Sequence, residues 1–156
     1  APKAVFGASG FGLVAVRVAK SIGVHDGGGR ILNIGSVLGF MPMPYMALYS
    51  ASKYALRGYS ESLDHELRNM GIRVSVIEPA FMKTAIEANS TQAEFKMDDY
   101  HDTRLSVEQR LSEMIEQAED PALVADVVIQ AAQDPNPRAR YTAGTTAARL
   151  KMMSTF

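Results

Sequence analysis

The chain has no cysteine and no tryptophan among its 156 residues. Without cysteine there is no disulfide and no thiolate metal site, a usage that fits a reducing compartment. An excess of charge of either sign is also missing. Sixteen Lys and Arg stand against 17 Asp and Glu, a formal net charge of -1, so no electrostatic case exists for nucleic acid or an anionic membrane. No apolar run approaches the ~20 residues of a spanning helix. The first residues carry one lysine and no apolar core of the signal-peptide type. Together these absences make a cytoplasmic protein the default expectation. The three histidines, His25, His65 and His101, are scattered; no pair has ligand spacing on one face, and no metal site is expected. Glu108, Glu113 and Glu116 read as a solvated helix face. Asn89-Ser-Thr91 matches a glycosylation acceptor, read as coincidence without a secretion signal. No repeat, linker or low-complexity tract divides the chain, and its length suits one domain over residues 1–156.

What is present centres on Ile31 to Thr84. Ile31, Leu32 and Ile34 make a near-continuous apolar run ending at Gly35-Ser36, as in a central parallel strand covered on both faces. A loop broken by Gly39, Pro42 and Pro44 follows. A helix is expected from about Ala47 to Met70, stopped by Gly71. Its Ala47, Ala51, Ala55 and Ser62 give a small-residue face, and Leu48, Leu56, Leu63 and Leu67 supply bulk. Ile72 to Ile77 reads as the next strand, ended by Pro79. Tyr49 and Lys53 lie four apart on the helix and so share a face. An ammonium beside a phenol favours the charged phenolate, which makes the pair a candidate acid–base couple. Ser36 stands 13 residues before Tyr49. Taken singly, such a pair is more often two surface neighbours, and such a serine only a cap. Nine methionines include Met41, Met43, Met46 and Met82 around these residues, read equally well as core filler or as an apolar substrate wall.

Further along, residues 85 to 104 are polar without a clear period. Residues 106 to 118 read as a helix with Val107, Leu111, Met114 and Ile115 on one face. Asp120-Pro121 opens another helix, closed by Pro135 to Pro137. Arg140 to Ala143 is a short last strand, and residues 145 to 156 add a helical tail.

The serine at a strand end, the Tyr49-Ser-Ala-Ser-Lys53 run and the Pro79-Ala80-Phe-Met-Lys-Thr84 turn, in this order and spacing, resemble the short-chain dehydrogenase/reductase family. The resemblance is close from about Gly29 to Thr84 and looser to about Ala143. It implies an α/β fold: a three-layer, Rossmann-like parallel sheet with helices on both faces. It also implies an NAD(P)-dependent oxidoreductase that interconverts a hydroxyl and a carbonyl in a small apolar substrate. Ser36, Tyr49 and Lys53 would be catalytic. Tyr49, Lys53, Pro79, Ala80 and Thr84 would hold the cofactor, NAD or NADP. Ser36, Phe81 and Met82 would face the substrate, under a lid formed by an insert at about 85–118. Ala80 replaces the usual glycine. Family members pair through the helix carrying Tyr-x-x-x-Lys, so a homodimer or homotetramer is implied.

The N-terminal stretch admits a bland reading, a glycine-rich terminus with no ligand, and two functional ones. In one, residues 3 to 12 are a strand and a turn in which Gly7, Gly10 and Gly12 cradle a pyrophosphate. In the other, residues 5 to 22 are the helix that precedes the serine strand, and the family's active-site asparagine falls at Ser9. The second is preferred. In either case the Asn-Asn-Ala-Gly segment of the family is absent, so the chain is expected to be the catalytic half of the domain, truncated or internally deleted. The alternative function is a non-catalytic fragment or assembly module lacking a complete cofactor site.

Overall fold

The computed structural model describes residues 28–84 and 98–154, together with the backbone of residues 3–7. Among these the chain forms four strands: β1 (Lys3–Gly7), β2 (Gly29–Ile34), β3 (Ile72–Pro79) and β4 (Arg140–Ala143). The helices are α1 (Ala47–Leu67), α2 (His101–Glu116), α3 (Ala122–Gln133) and α4 (Thr145–Met153). The strands form one parallel sheet in the order β1-β2-β3-β4, with helices on both sides. This is the expected Rossmann-like α/β class.

The chain divides into two compact units. One comprises Ala1–Ala80 and Ala122–Phe156, the other Phe81–Pro121. The first holds the sheet. Ile31 and Leu32 of β2 and Val74, Val76 and Ile77 of β3 are all buried, as strands covered on both faces must be. Leu63 of α1 joins Ile31, Ile72 and Val74 in the core, with Tyr59 and Leu67 packed alongside. Two buried polar side chains on this side are matched: Asn33 Nδ2 donates to Ser60 Oγ at 2.9 Å, and Ser60 Oγ donates to Leu56 O at 2.6 Å. The turn between α1 and β3 depends on Gly71. Its φ of 74° is left-handed, which a side chain resists, and its N–H donates to Arg68 O at 3.0 Å. Gly71 O in turn accepts from the Gly29 amide at 3.1 Å, so the helix stop also anchors the start of β2.

Three expectations change. Residues 5 to 7 are not the start of a helix: they lie in β1, which pairs with β2 from Lys3↔Gly29 to Gly7↔Asn33. An apolar run this short carries no period that separates strand from helix, and an open edge of a parallel sheet takes it up. The rest of that stretch, Ser9, Gly10 and Gly12 included, lies outside the described residues. Leu48 does not supply core bulk but is 89% exposed. The buried positions of α1 are Ser50, Lys53, Ser60, Leu63 and Asp64, a row that Leu48 misses. Helix α2 begins at His101, earlier than the period suggested.

In the second unit, Met82 bridges Glu119 in parallel. The Lys83 amide donates to Glu119 O and the Glu119 amide to Phe81 O. Val107, Leu111 and Ile115 form the half-buried side of α2, while Met114 is exposed. This unit, 81–121, takes in the segment where the sequence suggested an insert. Among the described residues no helix is long and apolar enough to cross a membrane, and no cluster of His, Asp or Glu could hold a metal ion.

Candidate active site

Ser36 follows the end of β2. It caps a single 3-10 turn, Val37–Gly39, with its Oγ accepting from the Leu38 amide at 3.2 Å. The buried Gly35-Ser36 step is close-packed: a Cβ at Gly35 would lie 2.7 Å from Val76 Cγ1. Tyr49 is in the first turn of α1, half-buried, and Lys53 one turn later is buried. The Lys53 ammonium sits 5.4 Å from the centre of the Tyr49 ring, within cation–π range. Its Nζ donates to Ile34 O at 3.4 Å. Lys53 therefore ties the tyrosine helix to the last residue of the strand that leads into Ser36. Burial lowers its pKa from the ordinary lysine value, because a desolvated ammonium loses the water that stabilises its charge.

A lysine head carries three donors, and among the described residues only Ile34 O engages one of them. The spare donors on a buried cation are of the kind that could hold vicinal hydroxyls such as those of a ribose. Pro79 closes β3 and is buried, and Ala80 after it is half-buried. Phe81, Met82 and Thr84 belong to the second unit, the first two half-buried and Thr84 exposed.

The sequence reading missed two groups beside these, Arg57 and Glu78, and read Gly39 only as a loop breaker. Arg57, one turn past Lys53 on α1, donates through Nη1 to Gly39 O at 3.3 Å. Its guanidinium lies 5.8 Å from the Phe40 ring centre. Glu78, next to Pro79 in β3, is 1% exposed, and its Oε1 is 3.9 Å from Arg57 Nε. Burial raises the Glu78 carboxyl to about 6, against the pull of Arg57 and Lys151 and with a push from Glu61. Gly39 lies against α1: a Cβ there would be 3.0 Å from Lys53 O and 3.3 Å from Lys53 C. The available signals were Arg57 continuing the Tyr49–Lys53 spacing by another four residues, and a lone acid in the apolar run of β3.

The sheet is thus a Rossmann-like one, with a serine after one strand and a tyrosine–lysine pair on the crossover helix to the next. The short chain dehydrogenase family model matches residues 7–94. An uncharacterized oxidoreductase of Schizosaccharomyces pombe is 31% identical over 90% of this chain and 57% of its own length. The 17-beta-hydroxysteroid dehydrogenase type 6 of Mus musculus is 29% identical over 90% of this chain and 48% of its own. Among solved structures, a short chain dehydrogenase/reductase from Burkholderia phymatum in complex with NAD superposes with a TM-score of 0.67 at 26% identity. That match covers 88% of this chain and 52% of the other. The chain belongs to the short-chain dehydrogenase family. It spans about half the length of the curated relatives it matches.

Proposed function

We propose that the protein is an NAD(P)-dependent oxidoreductase interconverting a hydroxyl and a carbonyl in a small apolar substrate. The observation that carries this reading is the buried Lys53 ammonium, shared between the Tyr49 ring and the end of the strand leading into Ser36. A bound nicotinamide cofactor supplies or accepts the hydride at carbon. Everything else falls to this chain's own residues. Tyr49 gives its phenolic proton to the carbonyl oxygen in reduction and takes it back in oxidation. Ser36 Oγ donates to the same oxygen and orients it. Lys53 stabilises the phenolate left behind and hydrogen-bonds the ribose. Pro79 and Ala80 are assigned to the cofactor by their match to the family motif, and by that match alone Thr84 is assigned to the cofactor and Phe81 and Met82 to the substrate. The insert at about 85–118 belongs to the proposal as the substrate lid.

A homodimer or homotetramer is part of the same reading. The small residues Ala47, Ala51, Ala55 and Ser62 of α1 are exposed, and a Cβ added at Gly58 would meet nothing within 4 Å. An open groove of about 370 Å³ runs there, lined by Phe40, Tyr54, Arg57, Gly58, Glu61 and Ser154. A small-residue helix face of this kind suits close approach by its own copy.

The second reading is a non-catalytic assembly module, which the exposed small-residue face of α1 would serve equally well. One experiment separates the two: titrate NAD(H) and NADP(H) calorimetrically, then compare turnover of the wild type with Tyr49→Phe. Binding of either cofactor with a ~10² to 10⁴-fold loss of turnover in the variant is expected. Near-full turnover in Tyr49→Phe would sink the proton-donor role. No binding of either cofactor would establish the module reading for this chain.

A further inference from the structure

We propose that Arg57, anchored on Glu78, is a positioning residue that docks the Ser36 loop onto the helix carrying Tyr49 and Lys53. The proposal rests on the reading of these three residues as the reacting groups. Ser36 belongs to the turn after β2, whereas Tyr49 and Lys53 belong to α1, and 12 residues separate Ser36 from Tyr49. Two prolines, Pro42 and Pro44, break regular structure in between, and Tyr45 has a φ of 63°. The intervening chain does not hold the serine in register with the phenol. Contacts across the gap must do so.

Lys53 holds α1 to the end of β2 through Ile34 O, and the contacts to the loop itself converge on Arg57. Its Nη1 reaches the carbonyl of Gly39, the last residue of the turn that Ser36 caps, and its guanidinium covers the Phe40 ring. Gly39 has no side chain, and a Cβ there would press on the Lys53 backbone, 3.0 Å from its carbonyl oxygen. The loop is thus pressed onto α1 at Lys53 and held there from one turn further on. The guanidinium is in turn flanked by two carboxylates, Glu61 Oε1 at 3.4 Å and Glu78 Oε1 at 3.9 Å. Glu61 is 38% exposed at its side chain and is shared with Arg140 of β4 at 3.4 Å. Glu78 is the buried one. Its Oε1 has no hydrogen-bond partner among the described residues.

That orphaned oxygen is the telling feature. A buried carboxylate without a full set of donors costs more than an apolar side chain of similar size, and the neighbours of Glu78 along β3 are apolar. The charged groups facing it are Arg57 and Glu61 of α1 and Lys151 of α4. Arg57 also reaches the serine loop. Arg57 Nε donates to Glu61 Oε1, the buried Glu78 carboxylate pairs with the guanidinium from β3 at ion-pair distance, and Arg57 fixes the loop. Opening the loop frees Arg57 while Glu78 stays buried in β3, so the ionised carboxylate favours the closed loop, and the clamp weakens as Glu78 takes up a proton at about pH 6.

Amide hydrogen exchange reads the clamp without any turnover. The amides of Leu38, Gly39, Phe40 and Met41 are all hydrogen-bonded inside the loop, at 2.9 to 3.2 Å, so their protection reports its opening. The buried Val74 amide, bonded to Asp64 Oδ1, serves as the internal reference. In Arg57→Met, exchange of the four loop amides should rise roughly 10-fold or more, the scale of losing a charge-assisted hydrogen bond, with Val74 unmoved. In the wild type, the loop-opening equilibrium, corrected for intrinsic exchange, should rise as the pH is lowered through about 6, and Glu78→Gln should flatten that profile. Unchanged loop protection in Arg57→Met would overturn the proposal. So would an equal rise at Val74, which marks a general loss of structure. If Arg57→Met does not fold, the wild-type profile decides, and a flat one between about pH 8 and pH 5 overturns it. A Tyr49→Phe protein with near-full turnover would defeat the proton-donor reading and leave this exchange result standing on its own.

Discussion

Asp64 and Glu78 are both 1% exposed, and they are opposites. Asp64 accepts from Arg68 Nη2 at 2.7 Å, from Arg73 Nε at 2.8 Å and Nη2 at 3.2 Å, and from the Val74 amide at 2.8 Å. Burial alone would raise its pKa, but the hydrogen bonds from Arg73, Val74 and Arg68 hold it below the ordinary aspartate value. Glu78 has one guanidinium at 3.9 Å and an oxygen with no hydrogen bond among the described residues, and it is raised to about 6. The same chemical group is a brace at the far end of α1 and a strain near the candidate site. The difference is the number of donors within reach. A carboxylate surrounded by donors rivals its hydrated state, and one that is not does better neutral.

The sharpest way to break this comparison is Asp64→Ala. It leaves the buried Val74 amide unpaired and two arginines facing an empty site. We expect a loss of about 3–5 kcal/mol, the usual cost of breaking a buried pair, read from urea denaturation. A loss under about 1 kcal/mol would put Asp64 among surface pairs and remove the contrast.

The second test uses pH, where the two carboxylates have opposite signs. Asp64 is depressed when folded, so its contribution is present above the unfolded value and is lost only as pH falls through the lowered one. Glu78 is raised when folded, so its favourable contribution is present below the unfolded value near 4.5 and is lost as pH rises through about 6. Its ionised form therefore costs about 2 kcal/mol at neutral pH. Glu78→Gln should recover most of this at pH 7 and remove the decline between about pH 4.5 and 6.5, measured by denaturation at each pH. The same substitution should loosen the Ser36 loop. A gain in global stability with a local loss of order is the trade expected at a functional site. Stability of Glu78→Gln equal to wild type at both ends of that window would show the carboxylate to be unstrained.

The smallest effect is expected at Gly58. A glycine inside α1 costs up to ~1 kcal/mol relative to alanine, and an added methyl would meet nothing. Gly58→Ala should raise thermal stability slightly in a monomeric state. If α1 packs on its own copy, the methyl should instead weaken association, visible by light scattering. Unchanged association would move the proposed interface away from this part of the helix.

Much of this arrangement is written in local patterns. The apolar runs of β2 and β3, the long helix between them and the glycine that stops it are each set within a few residues, by burial on both faces of a sheet and by backbone freedom at one position. Tyr49 and Lys53 share a face because the helix repeats every 3.6 residues, so their pairing needed no partner from elsewhere. Only the fold decided the rest. Lys3–Gly7 is a strand because β2 offers an edge to pair with, which no window of five residues reveals. Leu48 faces solvent because the row of α1 that meets the sheet runs through Ser50, Lys53, Ser60 and Leu63. Arg57 and Glu78 are 21 positions apart, and whether an acid in a strand is braced or stranded depends on donors brought in by other elements. Periodicity is a property of neighbouring residues and can be read from them. Electrostatic environment is a property of everything within a few ångströms, and those distances exist only once the chain has folded.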